Sequence, residues 1–125
     1  MATRPTVALF AGDPAGVGPE IVARLLADPE TTHSADVLLI ASRATMDVRA
    51  KATFVEWRGL DAPPFPLGVA SPDNGRFMLD GLKTGVDLVR GGNADALCFA
   101  PLNKGALRAG GMNHPDEMHL SLIHI

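Results

Sequence analysis

The sequence predicts an α/β fold: a largely parallel sheet with flanking helices. Short continuous apolar runs recur along the chain, as strands covered on both faces require. Stretches with apolar residues at helical spacing alternate with them, and glycine- and proline-bearing loops separate the two. The chain has 125 residues, the size of one domain or of part of a larger one, and it is 46% hydrophobic and 20% charged. That is enough apolar material for a packed core and excludes a disordered chain. Eleven Lys and Arg against fourteen Asp and Glu give a net charge of -3, which offers no basic footprint for nucleic acid or an anionic membrane. The single cysteine, Cys98, excludes an internal disulfide. No apolar run approaches the roughly 18 residues of a membrane span. The N-terminus lacks the basic start and long apolar region of a leader, so a soluble cytoplasmic protein is expected.

The elements follow in order. Val7 to Ala11 is an apolar run ending at Gly12, as a buried parallel strand would. Val17, Ile21, Val22, Leu25 and Leu26 recur at helical spacing, and Asp28-Pro29 closes that helix. Val37 to Ile40 is a second buried strand, after which Ser42 is the expected N-cap of a helix through about Lys51. A third strand is expected over Thr53 to Trp57. The stretch from Gly59 to Pro72 holds four of the ten prolines and reads as a loop. Ser71-Pro72 is an N-cap followed by proline at the first helical position. Met78, Leu82, Val86 and Val89 mark one face of the helix that follows, which stops at Gly91-Gly92. Ala94 to Ala100 is another strand, and Leu102 to Arg108 a short helix stopped by Gly110-Gly111.

In parallel α/β sheets ligands bind beyond the carboxyl ends of the strands, which directs attention to two loops. The first, Gly12-Asp13-Pro14-Ala15-Gly16-Val17-Gly18-Pro19-Glu20, lacks the Gly-Lys-Ser/Thr ending of a phosphate-binding P-loop. It also has Ile21 where the dinucleotide fingerprint needs its third glycine. It does combine glycines that permit close backbone approach, prolines that stiffen, and a helix start with free N–H groups. The plainer alternative is a tight strand-to-helix turn in which Asp13 or Glu20 serves as a cap. The second loop, Ala100-Pro101-Leu102-Asn103-Lys104, places a cation and an amide at a helix start. Lys104 suits a phosphate or carboxylate, with Asn103 donating beside it, although most lysines after a strand are simply solvated.

Asn113-His114-Pro115-Asp116-Glu117-Met118-His119 is the densest polar cluster. Its histidines are five apart, the wrong spacing for the helical His-Glu-x-x-His metal motif, so a polar substrate loop or a solvated turn is preferred to a local metal site. His33 reads as an exposed histidine, and Cys98 as a buried, inert thiol inside an apolar strand. Trp57 beside Arg58 supports no functional claim.

Together these loops resemble one family. Gly-Asp-Pro-Ala-Gly-Val-Gly-Pro-Glu-Ile at 12–21 is similar to the N-terminal signature of the 4-hydroxythreonine-4-phosphate dehydrogenases. Asp95-Ala-Leu-Cys-Phe-Ala-Pro-Leu-Asn-Lys104 with Ala109-Gly110 resembles a second block of the same family. The resemblance covers residues 5–120, less than half of a full family member. It implies the N-terminal portion of an isocitrate/isopropylmalate dehydrogenase-like fold, with residues 1–120 forming part of the dehydrogenase domain. Residues 121–125 depart from the family and are expected to be a non-native tail.

The activity implied is NAD-dependent oxidation and decarboxylation of 4-phosphooxy-threonine or a related phosphorylated hydroxy acid, of the pyridoxal phosphate biosynthesis type, yielding 3-amino-2-oxopropyl phosphate in that pathway. The resemblance further implies a homodimer with its site in an interdomain cleft. NAD and a divalent metal are the implied cofactors; the three metal-binding histidines of the family map downstream of this chain, so none of its residues is assigned to the metal. By the same resemblance His114 is a substrate contact, with Asp116 and Lys104 in the same cleft; catalytic and NAD-binding residues are unassigned. Where the family carries Gly-His-Thr-Glu, this chain has Asn113-His114-Pro115-Asp116-Glu117, so His114 and Glu117 match only with a one-residue shift. That departure opens the substrate to phosphothreonate or phosphoerythronate. The loop before Ser71 is also shorter than the family pattern. Two rivals stand: a phosphate acyltransferase of related fold, which needs neither NAD nor metal, and a non-catalytic fragment or binding module with apolar helix faces uncovered.

Overall fold

The computed structural model describes residues 4–46 and 52–111. Among these, strands β1 (Thr6–Phe10), β2 (Asp36–Ile40), β3 (Ala52–Phe54) and β4 (Ala96–Phe99) form a four-stranded sheet in the order β3-β2-β1-β4. Every pairing is parallel. Helices α1 (Gly18–Ala27), α2 (Pro29–Ser34), α3 (Pro72–Arg90) and α4 (Lys104–Ala109) complete the α/β architecture. None of the described helices is long and apolar enough to cross a membrane.

The two central strands are apolar without alternation because both of their faces are covered. Leu9, Val37 and Leu39 pack with Val22 and Leu26 of α1 on one face. Ala8, Phe10 and Ile40 pack with Phe77, Met78 and Leu82 of α3 on the other. Helix α3 starts as the sequence predicts: the Ser71 hydroxyl accepts from the Asn74 N–H at 3.1 Å, and Pro72 occupies the first turn. It ends at Gly91, and Gly92 turns the chain with φ +78°. Trp57, silent in the sequence, packs edge-on against Phe10 and Phe77 and donates its indole N–H to the Ala41 carbonyl at 3.1 Å.

Several elements depart from expectation. Asp28-Pro29 ends α1 but also begins α2: the Asp28 carboxylate accepts from the Glu30 N–H at 3.0 Å, and proline sits comfortably in a first turn. Ser42 to Met46 is a turn rather than a helix; residues 47–51 of the expected helix lie outside the described residues. The Ser42 hydroxyl accepts from the Ala44 N–H and donates to the Ala62 carbonyl at 2.8 Å, so it closes a local turn and ties it to the next loop. Strand β3 ends at Phe54, three residues before the expected limit. Helix α4 begins at Lys104 because the Asn103 carboxamide oxygen caps the Ala106 N–H at 3.0 Å. Cys98 is exposed, not buried. It lies on β4, which among the described residues is an edge strand paired only with β1. His33 is exposed as expected.

Candidate functional site

Strand order locates the site. From β1 the chain moves outward to β2 and β3, then crosses to the opposite side of β1 to form β4. The order therefore reverses between β1 and β4, and it is at such switch points, beyond the carboxyl ends, that loops part and ligands bind. Both loops singled out in the sequence emerge there. They touch through backbone: the Asp13 N–H donates to the Pro101 carbonyl at 3.0 Å. Gly12 permits that approach, since its φ is +78° and a Cβ there would stand 2.5 Å from the Pro101 oxygen and 2.8 Å from that of Ala100.

Asp13 organises the first loop. One carboxylate oxygen, Oδ1, accepts from the Ala15 N–H at 2.9 Å and from the Asn74 side-chain amide at 2.8 Å. Its carbonyl accepts from the Gly16 N–H at 3.0 Å. The Ala15 carbonyl in turn accepts from the Gly68 N–H at 2.7 Å, tying the first loop to the proline-rich segment. Neither expected cap operates on α1, whose N-cap is Val17 with no side-chain hydrogen bond. Asp13 is spent on the loop, and Glu20 pairs with Arg24 at 3.0 Å on the surface, where such a pair contributes little. Among the described residues the first-turn N–H groups of α1 thus have no side-chain acceptor.

Beside this loop lies a pocket of about 740 Å³. Pro14 to Val17 form one wall, Phe65, Leu67 and Gly68 another, with Thr45 and Glu20 as polar elements of the lining. Its size and mostly apolar walls with a few polar groups are those of small-molecule sites. The sequence pointed to the first wall but not to the second, nor to Asn74. A proline-rich loop and an asparagine in the first turn of a helix carry no local signature of a site; only the tertiary fold brings them to it.

The substrate-binding residues expected from the sequence fall in two groups. Lys104 is exposed at the first position of α4, at the carboxyl edge but outside the pocket lining, and forms no ion pair among the described residues. His114 and Asp116 lie outside the described residues. Asn103 is occupied as a cap through its oxygen. Among the described residues no group of three or more His, Cys, Asp or Glu is arranged to hold a metal ion.

An open parallel sheet with helices on both faces and glycine-bearing loops meeting at its switch point places the chain among the α/β proteins, whose ligands generally bind at the carboxyl edge. The family described as pyridoxal phosphate biosynthetic protein PdxA matches residues 19–122, and the chain belongs to that family. A protein of Pseudomonas aeruginosa named "Putative 4-hydroxythreonine-4-phosphate dehydrogenase 2" is 38% identical over 92% of this chain and 41% of its own length. One of Bradyrhizobium diazoefficiens named "Putative D-threonate 4-phosphate dehydrogenase" is 32% identical, over 95% and 41%. The crystal structure of a 4-hydroxythreonine-4-phosphate dehydrogenase from Burkholderia phymatum superposes with a TM-score of 0.87 at 26% identity, covering 98% of this chain and 44% of that one. The chain therefore spans about two-fifths of the length of the relatives it matches.

Proposed function

We propose that this chain contributes one side of the active-site cleft of an NAD-dependent, metal-assisted dehydrogenase. Its substrate is 4-phosphooxy-threonine or a related phosphorylated hydroxy acid, which is oxidised and then decarboxylated. The observation that carries the reading is the meeting of two family motifs, Gly12–Glu20 and Ala100–Lys104, at the switch point of the sheet. The rest of the cleft, the homodimeric assembly and the cytoplasmic setting are part of the proposal, with family membership as their support.

The residues divide the work by chemistry. Lys104 is an exposed cation at the carboxyl edge and neutralises the substrate phosphate as a point charge. His114 donates a hydrogen bond to the phosphate or the hydroxyl, and Asp116 lies in the same cleft. The relatives' named substrates, 4-hydroxythreonine 4-phosphate and D-threonate 4-phosphate, share the phosphate ester and differ in having an amine or a hydroxyl at one carbon. The pocket walls of Val17, Phe65 and Leu67 suit a flat ring, and NAD, when bound, supplies the hydride acceptor. The described residues do not fit a metal site, so no step is assigned to a metal here.

The test is a titration of the chain with 4-phosphooxy-L-threonine, with and without NAD, while NADH absorbance is followed. Binding that Lys104→Ala weakens by about tenfold, a charge-assisted hydrogen bond's worth, supports the reading. Turnover of an acyl phosphate without NADH would transfer the chain to the acyltransferase reading. No binding of either ligand at millimolar concentration would leave it a non-catalytic module.

A further inference from the structure

We propose that Asn74 is a positioning residue for the ligand-facing loop. Its side-chain amide holds Asp13, and through Asp13 it sets Pro14–Val17 as a preformed wall of the pocket. The inference rests on the proposed site only in calling that wall functional.

Asn74 is fully buried in the first turn of α3, where polar side chains normally face water. Its two halves are used unequally. Nδ2 donates to Asp13 Oδ1 at 2.8 Å, a contact across 61 residues of chain. Oδ1 is buried with no hydrogen-bond partner among the described residues. An orphaned buried acceptor is destabilising, and an apolar side chain of similar volume would remove it. The amide cannot turn over to relieve the orphan, because its oxygen would then face the Asp13 carboxylate. Packing therefore does not explain asparagine here, whereas donation to Asp13 does.

The post that carries Asn74 is rigid. Its backbone N–H is held by the Ser71 hydroxyl. The next residue, Gly75, lies so close to the Ala106 carbonyl of α4 that any Cβ would collide with it. Asn74 thus joins a fixed α3–α4 corner to a loop that otherwise hangs on backbone bonds to Pro101 and Gly68. The Asp13 oxygen it engages also accepts from the Ala15 N–H, so the amide orients the acceptor on which the turn depends.

Amide hydrogen exchange on the full chain, read residue by residue, tests this with Asn74→Leu and Asn74→Asp. In Asn74→Leu the proposal expects the protection of Ala15, Gly16 and Gly68 to fall by about tenfold or more, while Leu9 and Leu39 in the sheet and the global melting temperature hold or rise. Asn74→Asp sets carboxylate against carboxylate and loses the same loop protection at neutral pH. Acidification restores it once the pair shares a proton, because the introduced carboxyl, when protonated, donates as the amide did. Of the other charges on α3 and α4, Asp73, Arg76, Lys83, Asp87, Arg90, Lys104 and Arg108 are exposed, and Asp80 pairs with Arg58 at 3.8 Å, which leaves that response to the pair. Unchanged loop protection in Asn74→Leu would overturn the proposal. So would a loss spread equally over the sheet, which marks a packing residue. Should Asn74→Leu fail to fold, Asn74→Asp, which keeps the side-chain volume, carries the test: loop protection lost at neutral pH with the sheet intact supports the proposal, and unchanged loop protection overturns it. Wild-type chain that ignores NAD would count against the proposed cofactor pocket alone, since the exchange pattern judges Asn74 without a ligand.

Discussion

The two faces of the sheet are built differently. On the α3 face, a 19-residue helix lays Phe77, Met78 and Leu82 over Phe10 and Ile40, and Trp57, Phe65 and Leu107 close the edges. On the α1 face, a 10-residue helix buries Val22 and Leu26 over Leu9, Val37 and Leu39 and leaves the rest open. Val17, Ile21 and Leu25 line its outer side with 59%, 45% and 44% of their surface exposed, and Cys98 on β4 is uncovered. Of the five apolar residues that recur at helical spacing here, Val22 and Leu26 are buried, while Val17, Ile21 and Leu25 form a second, exposed stripe. One face thus carries most of the core, and the other presents apolar surface next to the pocket.

The largest expected effect sets the faces against each other. Leu82→Ala and Leu26→Ala delete side chains of equal burial, yet the cost should be about 4 kcal/mol on the α3 face and about 2 on the α1 face, where the thinner layer can relax. Equal midpoint shifts in urea would erase the distinction. Next comes Gly12→Ala at the junction of the two loops, where positive φ and the Pro101 carbonyl make a cost of about 2–3 kcal/mol the expected result, with exchange at Asp13 accelerated. Ser71→Ala removes the cap of α3 and should cost about 1 kcal/mol, read by thermal melting. The smallest change in stability, within about 0.5 kcal/mol, is expected for Ile21→Gln with Leu25→Gln. That pair should nonetheless lower binding of a hydrophobic dye clearly. A wild-type chain that binds no dye would show that the stripe is too dispersed to act as a patch.

Much of the fold was legible because local and tertiary preferences agree in the core. Consecutive apolar residues at 7–10 and 37–40 have no reading but strands covered on both sides, and Ser71-Pro72 fixes the start of α3 through a capping bond that needs no distant partner. Where a residue has two local uses the sequence misleads. Asp28-Pro29 both ends one helix and caps another, and Ser42, a good N-cap, instead spends its hydroxyl on a turn and on Ala62. Cys98 fits an apolar strand, but its exposure depends on what covers β4, which no local pattern encodes. The candidate site divides the same way. Gly12, Asp13 and Lys104 stand out by composition, whereas Asn74 and the wall at 65–68 become part of it only through contacts across about 60 and about 50 residues of chain.

The central claim is that the β1–α1 and β4–α4 loops form one ligand-binding edge. It is tested most directly by recording backbone amide spectra of the chain during titration with 4-phosphooxy-L-threonine. The account predicts saturable shifts at Gly12–Val17, Gly68, Leu102–Gly105, His114 and Asp116, all moved together to about tenfold higher ligand concentration in Lys104→Ala. Shifts confined to the outer stripe of α1 or to β4, or no shifts at millimolar ligand, would contradict it.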